Sequence, residues 1–258
     1  MSDAHEAIVY LEDVTVAYEG FKALDRLNFY MDRRELRVVI GPNGAGKTTL
    51  LDVISGRVKP DHGRVIFGKS ADLTALSENQ IAALGIGRKF QTPSVFVNLT
   101  VWENVELSLR RPSKGVLATL MSREGSDARD RIAATLDTVG LGAKGGAPAG
   151  ALSHGEKQWL EIGMVMAQDP ELLLVDEPVA GLTDDETART GELLLSIAAE
   201  RSVLVIEHDM EFVRQIARTV TVLHQGAVLC EGPREQVQGD PRVQEVYLGQ
   251  RKDTHAVR

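Results

Sequence analysis

The sequence predicts an α/β fold with a parallel-sheet core, an antiparallel β subdomain and an inserted α-helical subdomain. Three observations carry that expectation. Two apolar runs, "LLLV" at 172–175 and "SVLVI" at 202–206, flank a helix-like segment at 184–200, and strand, helix, strand in that order points to a parallel sheet. Near the start, apolar and polar residues alternate through Val14, Val16 and Tyr18 and again through Leu27 and Phe29, as in antiparallel strands with one solvated face. Residues 71–168 read as helical, interrupted by a polar, glycine-containing stretch at 110–130 and closed by the linker "GAKGGAPAG".

The remaining elements follow in order. "LRVVI" at 36–40 has no polar alternation beyond its arginine and reads as a buried strand; "GRVIFG" adds a short one. After the second apolar run the pattern is helix, strand, strand, helix, and the polar end "GQRKDTHAVR" is expected to be disordered. At 258 residues and 43% hydrophobic content the chain has enough apolar mass for a substantial core. Cys230 stands alone, which rules out an internal disulfide and a cysteine-rich metal site and points to a reducing compartment. No apolar run is long enough to cross a bilayer, so membrane contact is expected to go through partners. With 29 basic against 37 acidic residues, a net charge of −8, the chain lacks the footprint of a general nucleic-acid binder.

The chemistry begins at "GPNGAGKT". Gly41, Pro42, Asn43, Gly44, Ala45, Gly46, Lys47 and Thr48 fit a phosphate-binding loop of two glycines around four residues followed by Lys and Ser/Thr, and Thr49 opens the helix behind it. Such a loop turns successive N–H groups onto phosphate oxygens at a helix N-terminus. Lys47 is then the β,γ-phosphate cation and the Thr48 hydroxyl a Mg²⁺ ligand. "LLLVDEP" delivers two carboxylates to a strand end. Neighbouring residues in a regular strand face opposite ways, so Asp176 as Mg²⁺ ligand and Glu177 as the base polarising water require a chain already turning, which Pro178 supplies. "SVLVIEHD" likewise brings His208 to a strand end, where an imidazole can donate to a γ-phosphate. Alone, the two carboxylates would pass for a solvated turn, His208 for a surface histidine and Gln91 in "KFQTP" for a loop residue; their order gives them meaning.

That order, Tyr18, GPNGAGKT, Gln91, LSHGE, LLLVDE, "AGLT" at 180–183 and His208, resembles the nucleotide-binding subunit of an ABC transporter over essentially the whole chain. The resemblance implies a P-loop NTPase of the ABC-ATPase fold: one domain over 1–250, with a RecA-like core lobe at about 1–90 and 166–250, a helical lobe at about 91–165 and a polar tail at 251–258. It implies ATP and Mg²⁺, with Tyr18 stacked on adenine, Gln91 linking the Mg²⁺ site to the helical lobe, and Ala180 to Thr183 touching a facing ATPase subunit. Each of two ATP molecules would lie between the loop of one chain and Ser153, Gly155 and Glu156 of the other. Implied partners are a second ATPase subunit, a related paralogue or another copy, two transmembrane permease subunits, and indirectly a substrate-binding protein, with the chain peripheral on the cytoplasmic face of the membrane. "GIGRKFQTPSVFVNLTVWENV" and "DPRVQEVYLG" are similar to ATPases of branched-chain amino acid and amide importers, and the stretches around LSHGE and IEHD most resemble the D subunit of urea-type importers. A soluble ABC ATPase acting on DNA or ribosomes would carry two such domains or a long coiled-coil insertion, and neither is evident. A regulator without turnover would need neither Glu177 nor His208.

Three departures from the family pattern carry expectations. In LSHGE, His154 replaces a glycine, tolerable if its backbone avoids the left-handed region. Glu156 replaces a glutamine and puts a negative charge near an incoming triphosphate, tolerable if it turns back as a capping box with Ser153, leaving Gly155 open. Arg34, where relatives have glycine, is expected to bring local strain or a different turn. Resemblance also places the permease groove at 92–104, with Val95 and Phe96 as the better contact candidates and Trp102 equally explained as core.

Overall fold

The computed structural model describes residues 6–89, 94–109 and 124–246. Strands β1 (Ala7–Tyr18), β2 (Phe21–Asp32), β4 (His62–Phe67) and β5 (Ala71–Asp72) form an antiparallel sheet in the order β2-β1-β4-β5. Strands β3 (Leu36–Ile40), β6 (Ile86–Lys89), β7 (Leu172–Asp176), β8 (Ser202–Ile206), β9 (Thr219–His224) and β10 (Ala227–Pro233) form a second sheet in the order β10-β9-β3-β8-β7-β6. Its pairs are parallel except the β9–β10 hairpin. The helices are α1 (Lys47–Ile54), α2 (Glu78–Ala83), α3 (Val101–Ser108), α4 (Glu124–Thr138), α5 (His154–Met166), α6 (Asp184–Ala198), α7 (Met210–Ile216) and α8 (Arg234–Gly239).

The unbroken apolar runs are explained by two cores, one on each face of the six-stranded sheet. Val38, Leu173, Val175, Val203 and Val205 point to the side covered by α3, α4, α5, α6 and α7. Their neighbours Val39, Leu172, Leu174, Leu204 and Ile206 point to the other, covered by α1 and the antiparallel sheet. A strand buried on both faces cannot alternate, which is why these runs are apolar throughout.

The helical reading of 71–168 needs correction. Ala71–Asp72 extends the antiparallel sheet, and Ile86–Lys89 is a strand paired in parallel with β7 at the sheet edge. "IGRK" has one apolar residue in four, so no periodicity announces it; pairing with β7 decides. Arg34 sits at φ 57°, in the left-handed region that favours glycine, which is the local strain expected there, and its N–H donates to Ser202 Oγ at 2.9 Å, which ties the turn to β8. The polar tail from residue 247, and most of the 110–130 stretch, lie outside the described residues.

Candidate functional site

Strands β3, β7 and β8 run parallel and end side by side, so whatever follows each of them is brought together at one edge. After β3 the chain enters the Gly41–Gly46 loop and then α1. Gly46 is the N-cap in a left-handed conformation at φ 99°, and a Cβ there would lie 2.4 Å from the Ala23 carbonyl oxygen, so only glycine fits. Gly44 faces open space, Asn43 and Thr48 are exposed, and Pro42 and Thr49 are half-buried. The Ala45 N–H donates to the Pro42 carbonyl at 3.2 Å. Lys47 curls back over the loop, its ammonium donating to the carbonyls of Gly41 (2.7 Å) and Pro42 (3.0 Å). Burial pushes the Lys47 pKa down, and the Glu177 and Asp176 carboxylates oppose that shift. Tyr18 ends β1 at the tip of the first hairpin, whose turn residues Glu19 and Gly20 both have positive φ. The tyrosine is half exposed, and β2 passes from it directly to Ala23 against Gly46, which sets the hairpin beside the loop.

After β7 the two carboxylates separate. Asp176 is the last strand residue, and burial raises its pKa against the attraction of Arg88, whose Nη2 lies 3.8 Å away. Glu177 leaves the strand with φ 45°, the turn that the sequence required if both acids were to serve one site. Left-handed backbone at a non-glycine residue costs on the order of 1–3 kcal/mol, and such strain collects at functional sites. The Glu177 N–H is held by the Ile206 carbonyl at 3.0 Å, and its Oε1 lies 3.4 Å from His208 Nδ1.

The LSHGE segment starts α5. Ser153 is its N-cap, with the reciprocal box expected: Ser153 Oγ accepts from the Glu156 N–H at 3.2 Å and Glu156 Oε2 from the Ser153 N–H at 3.1 Å. His154 is the first helical residue, outside the left-handed region, and its Nε2 lies 3.2 Å from the Ala180 carbonyl oxygen, joining LSHGE to the AGLT loop. Burial alone would raise the Glu156 pKa, but Lys144 and the Ser153 N–H outweigh it and hold the carboxyl below its ordinary value.

Gly155 is not open as expected. A Cβ there would lie 2.5 Å from the Glu186 carboxylate, whose Oε1 accepts from Ser153 Oγ at 3.0 Å, while its Oε2 accepts from the Thr183 N–H at 3.1 Å. Glu186 caps α6 and reaches across to the N-terminus of α5, so that helix already faces an anion of its own chain. Sequence reasoning missed Lys144, Arg88 and Glu186. Only Glu186 left a trace, a capping box T-x-x-E in "TDDE". Gln91 lies outside the described residues. Trp102 packs against the helical-side core, as does Val95, whereas Phe96 is 54% exposed.

The donor set fits a nucleoside triphosphate with a hard cation. A cationic side chain and a helix N-terminus meet one hydroxyl and one buried carboxylate. Among the described residues no cluster of three or more acidic, His or Cys side chains forms a metal cage; Mg²⁺ held mainly by phosphates and water needs none.

The family model described as ABC transporter matches residues 24–180, well over half of the chain. The chain belongs to the ABC transporter family. A second model, branched-chain amino acid ATP-binding cassette transporter, matches residues 227–253. Among curated relatives, the high-affinity branched-chain amino acid transport ATP-binding protein LivG of Escherichia coli (strain K12) is 34% identical over 95% of this chain and 99% of its own. The corresponding BraF protein of Pseudomonas aeruginosa is 32% identical over 94% and 98%. A solved ATP-binding cassette of an ABC transporter in its ADP conformation superposes with a TM-score of 0.82 at 30% identity, covering 94% of this chain and 99% of that one. A dimeric cassette in a post-hydrolysis state, bound to ADP and Pi, superposes at 0.73 with 27% identity, over 87% of this chain and 98% of that one. As an ABC ATPase of the branched-chain amino acid importer type, this subunit binds ATP and hydrolyses it to power transport. No helix among the described residues is long and apolar enough to cross a membrane.

Proposed function

We propose that this ABC ATPase energises import of branched-chain amino acids, paired with a second ATPase subunit against two transmembrane permeases that a substrate-binding protein supplies, at the cytoplasmic face of the membrane. The observation that carries the catalytic part is the convergence of Lys47, Asp176, Glu177 and His208 at the ends of three adjacent parallel strands. Kinship with LivG and BraF supports the cargo class. The dimeric post-hydrolysis relative supports the pairing.

In this reading Tyr18 stacks on adenine and the N–H groups of the Gly41–Thr49 segment hold the phosphates, with Lys47 released from its own loop carbonyls onto the β,γ-phosphates. Thr48, Asp176 and Gln91 would hold Mg²⁺, which when bound would neutralise developing negative charge on the phosphates. Glu177 accepts a proton from water as the water oxygen bonds to the γ-phosphorus and the bond to the ADP oxygen breaks; His208 donates a hydrogen bond to the departing phosphoryl group. Ser153, Gly155 and Glu156 of one chain face the γ-phosphate bound by the other.

A second reading, urea or short amides as cargo, rests on the resemblance of the stretches around LSHGE and IEHD to the D subunit of urea-type importers. Both cargoes are tested in a strain lacking this chain, complemented with wild type or Glu177→Gln. Labelled leucine uptake restored by wild type alone would support the proposal, and labelled urea restored in its place would move the cargo to the second reading. Glu177→Gln should bind ATP, form a stable dimer and lose turnover by at least about 10²-fold; normal turnover would remove Glu177 from its role.

A further inference from the structure

Glu207 lies one residue before His208, with a side chain 1% exposed, and no step above uses it. Its backbone N–H donates to the Val39 carbonyl at 3.2 Å, tying it to the strand that feeds the Gly41 loop. Its carboxylate is divided between two loops. Oε1 accepts from the Val179 N–H at 3.3 Å, two residues past Glu177, and Oε2 accepts from the N–H groups of His208 (2.9 Å) and Asp209 (3.2 Å). The same Oε2 lies 3.9 Å from His208 Nδ1, which is 3.4 Å from Glu177 Oε1. Asp209 in turn caps α7, accepting from the N–H groups of Glu211 and Phe212 at 2.8 and 3.0 Å, so the far end of the His208 loop is anchored as well.

We propose that Glu207 is a positioning residue for ATP hydrolysis, its buried carboxylate fixing the loop that carries Glu177 against the loop that carries His208. The inference rests on the roles proposed for those two residues. The Glu207 side chain is 1% exposed and its carboxylate is engaged by three backbone N–H groups, so its part is to set geometry. The chemistry demands a carboxylate. All three donors are N–H groups, and both oxygens must accept. Gln keeps the shape but turns an NH₂ group toward one of the two loops, setting donor against donor and releasing either Val179 or the His208–Asp209 pair. Asp keeps the charge but is one methylene too short to span both loops. Burial favours the neutral acid and raises the Glu207 pKa, opposed by the three N–H groups and by His208.

The test compares the full-length chain as wild type, Glu207→Gln, Glu207→Asp, Glu177→Gln and the Glu177→Gln/Glu207→Gln double variant. It measures kcat and KM for MgATP, binding of a fluorescent ATP analogue, and Tm. A misplacement of about 1 Å at a reacting centre costs on the order of 10²-fold in rate. Glu207→Gln should lose about that much kcat with KM and analogue binding within about twofold of wild type, because the phosphate loop is untouched. Glu207→Asp should fall between. Residues that act as a unit are not additive, so the double variant should be no slower than Glu177→Gln alone. Unchanged kcat in Glu207→Gln, or multiplicative loss in the double variant, would overturn the proposal. So would loss of cooperative unfolding in both Glu207 variants, which would make the residue a stabilising element only. Full turnover in Glu177→Gln would instead sink the catalytic reading beneath it, a result separable from failure at Glu207.

Discussion

In the proposed reading, two charges of opposite sign set how the N-terminus of α5 meets an incoming phosphate, and neither belongs to the signature itself. Lys144 neutralises Glu156, while Glu186 sets a carboxylate against Ser153 and Gly155. Replacing Lys144 with Gln leaves the Glu156 charge facing the phosphate, so the ATP concentration for half-maximal turnover should rise. Replacing Glu186 with Gln removes the competing anion, and that concentration should fall. Charges at a helix N-terminus contribute about 0.3–1 kcal/mol, which corresponds to a change of about two- to fivefold in each direction. Titration of ATPase rate against ATP for both variants checks the signs, and shifts in the same direction would refute this balance. Of these residues the sequence revealed Ser153, Gly155 and Glu156, because their meaning is local. Lys144 and Glu186 act from 12 and 33 positions away and acquire meaning only when three segments meet.

At the scale of elements, helices α3, α5 and α6 each begin with a capping box, at Thr100 with Glu103, Ser153 with Glu156 and Thr183 with Glu186. All three carboxyls are held below their ordinary values. The Thr100 N–H is the main cause at Glu103, the Thr183 N–H at Glu186, and at Glu156 Lys144 overcomes burial. A carboxyl whose folded pKa is depressed contributes stability above its unfolded value, about 4.3, and loses it as pH falls through the folded value. Wild-type Tm should therefore drop between about pH 5 and pH 3, and Glu103→Gln/Glu156→Gln should show a shallower drop over that window with a lower Tm at pH 7. Equal acid slopes would mean that these caps carry no charge-dependent stability. All three boxes are readable as S/T-x-x-E, whereas β6 is not readable, because an edge strand of four residues takes its identity from β7.

For the whole molecule, transport requires that the strand-end chemistry reach a membrane partner. Phe96 and Val97, 54% and 50% exposed on the described segment that follows Gln91, are apolar side chains offered outward, whereas Trp102 and Val95 lean on the helical-side core. Phe96→Ala should leave Tm and ATP binding unchanged and cut uptake of the transported solute by about tenfold or more when assembled with the permeases. Retained uptake would move the coupling surface elsewhere. Leu204 sits with no exposure in the opposite core, and its replacement by Ala should cost about 2–5 kcal/mol with no selective effect on coupling. The two variants separate transmission from stability.

The sequence by itself determined the α/β class, the phosphate loop, the paired acids at a strand end and the capping box of LSHGE. Each rests on a short-range rule: backbone freedom at glycine, burial of uninterrupted apolar runs, and satisfaction of helix N–H groups by a side chain three residues away. The tertiary structure alone decided that β6 is a strand, that Glu186 occupies the front of α5, that Lys144 pairs with Glu156, and that the buried Glu207 carboxylate joins the loops that follow β7 and β8. Those are contacts between residues remote in the chain. Spacing cannot encode them: parallel stacking of β3, β8 and β7 brings the Glu207 contacts to one edge, and the approach of α6 to the start of α5 brings Glu186 to Ser153.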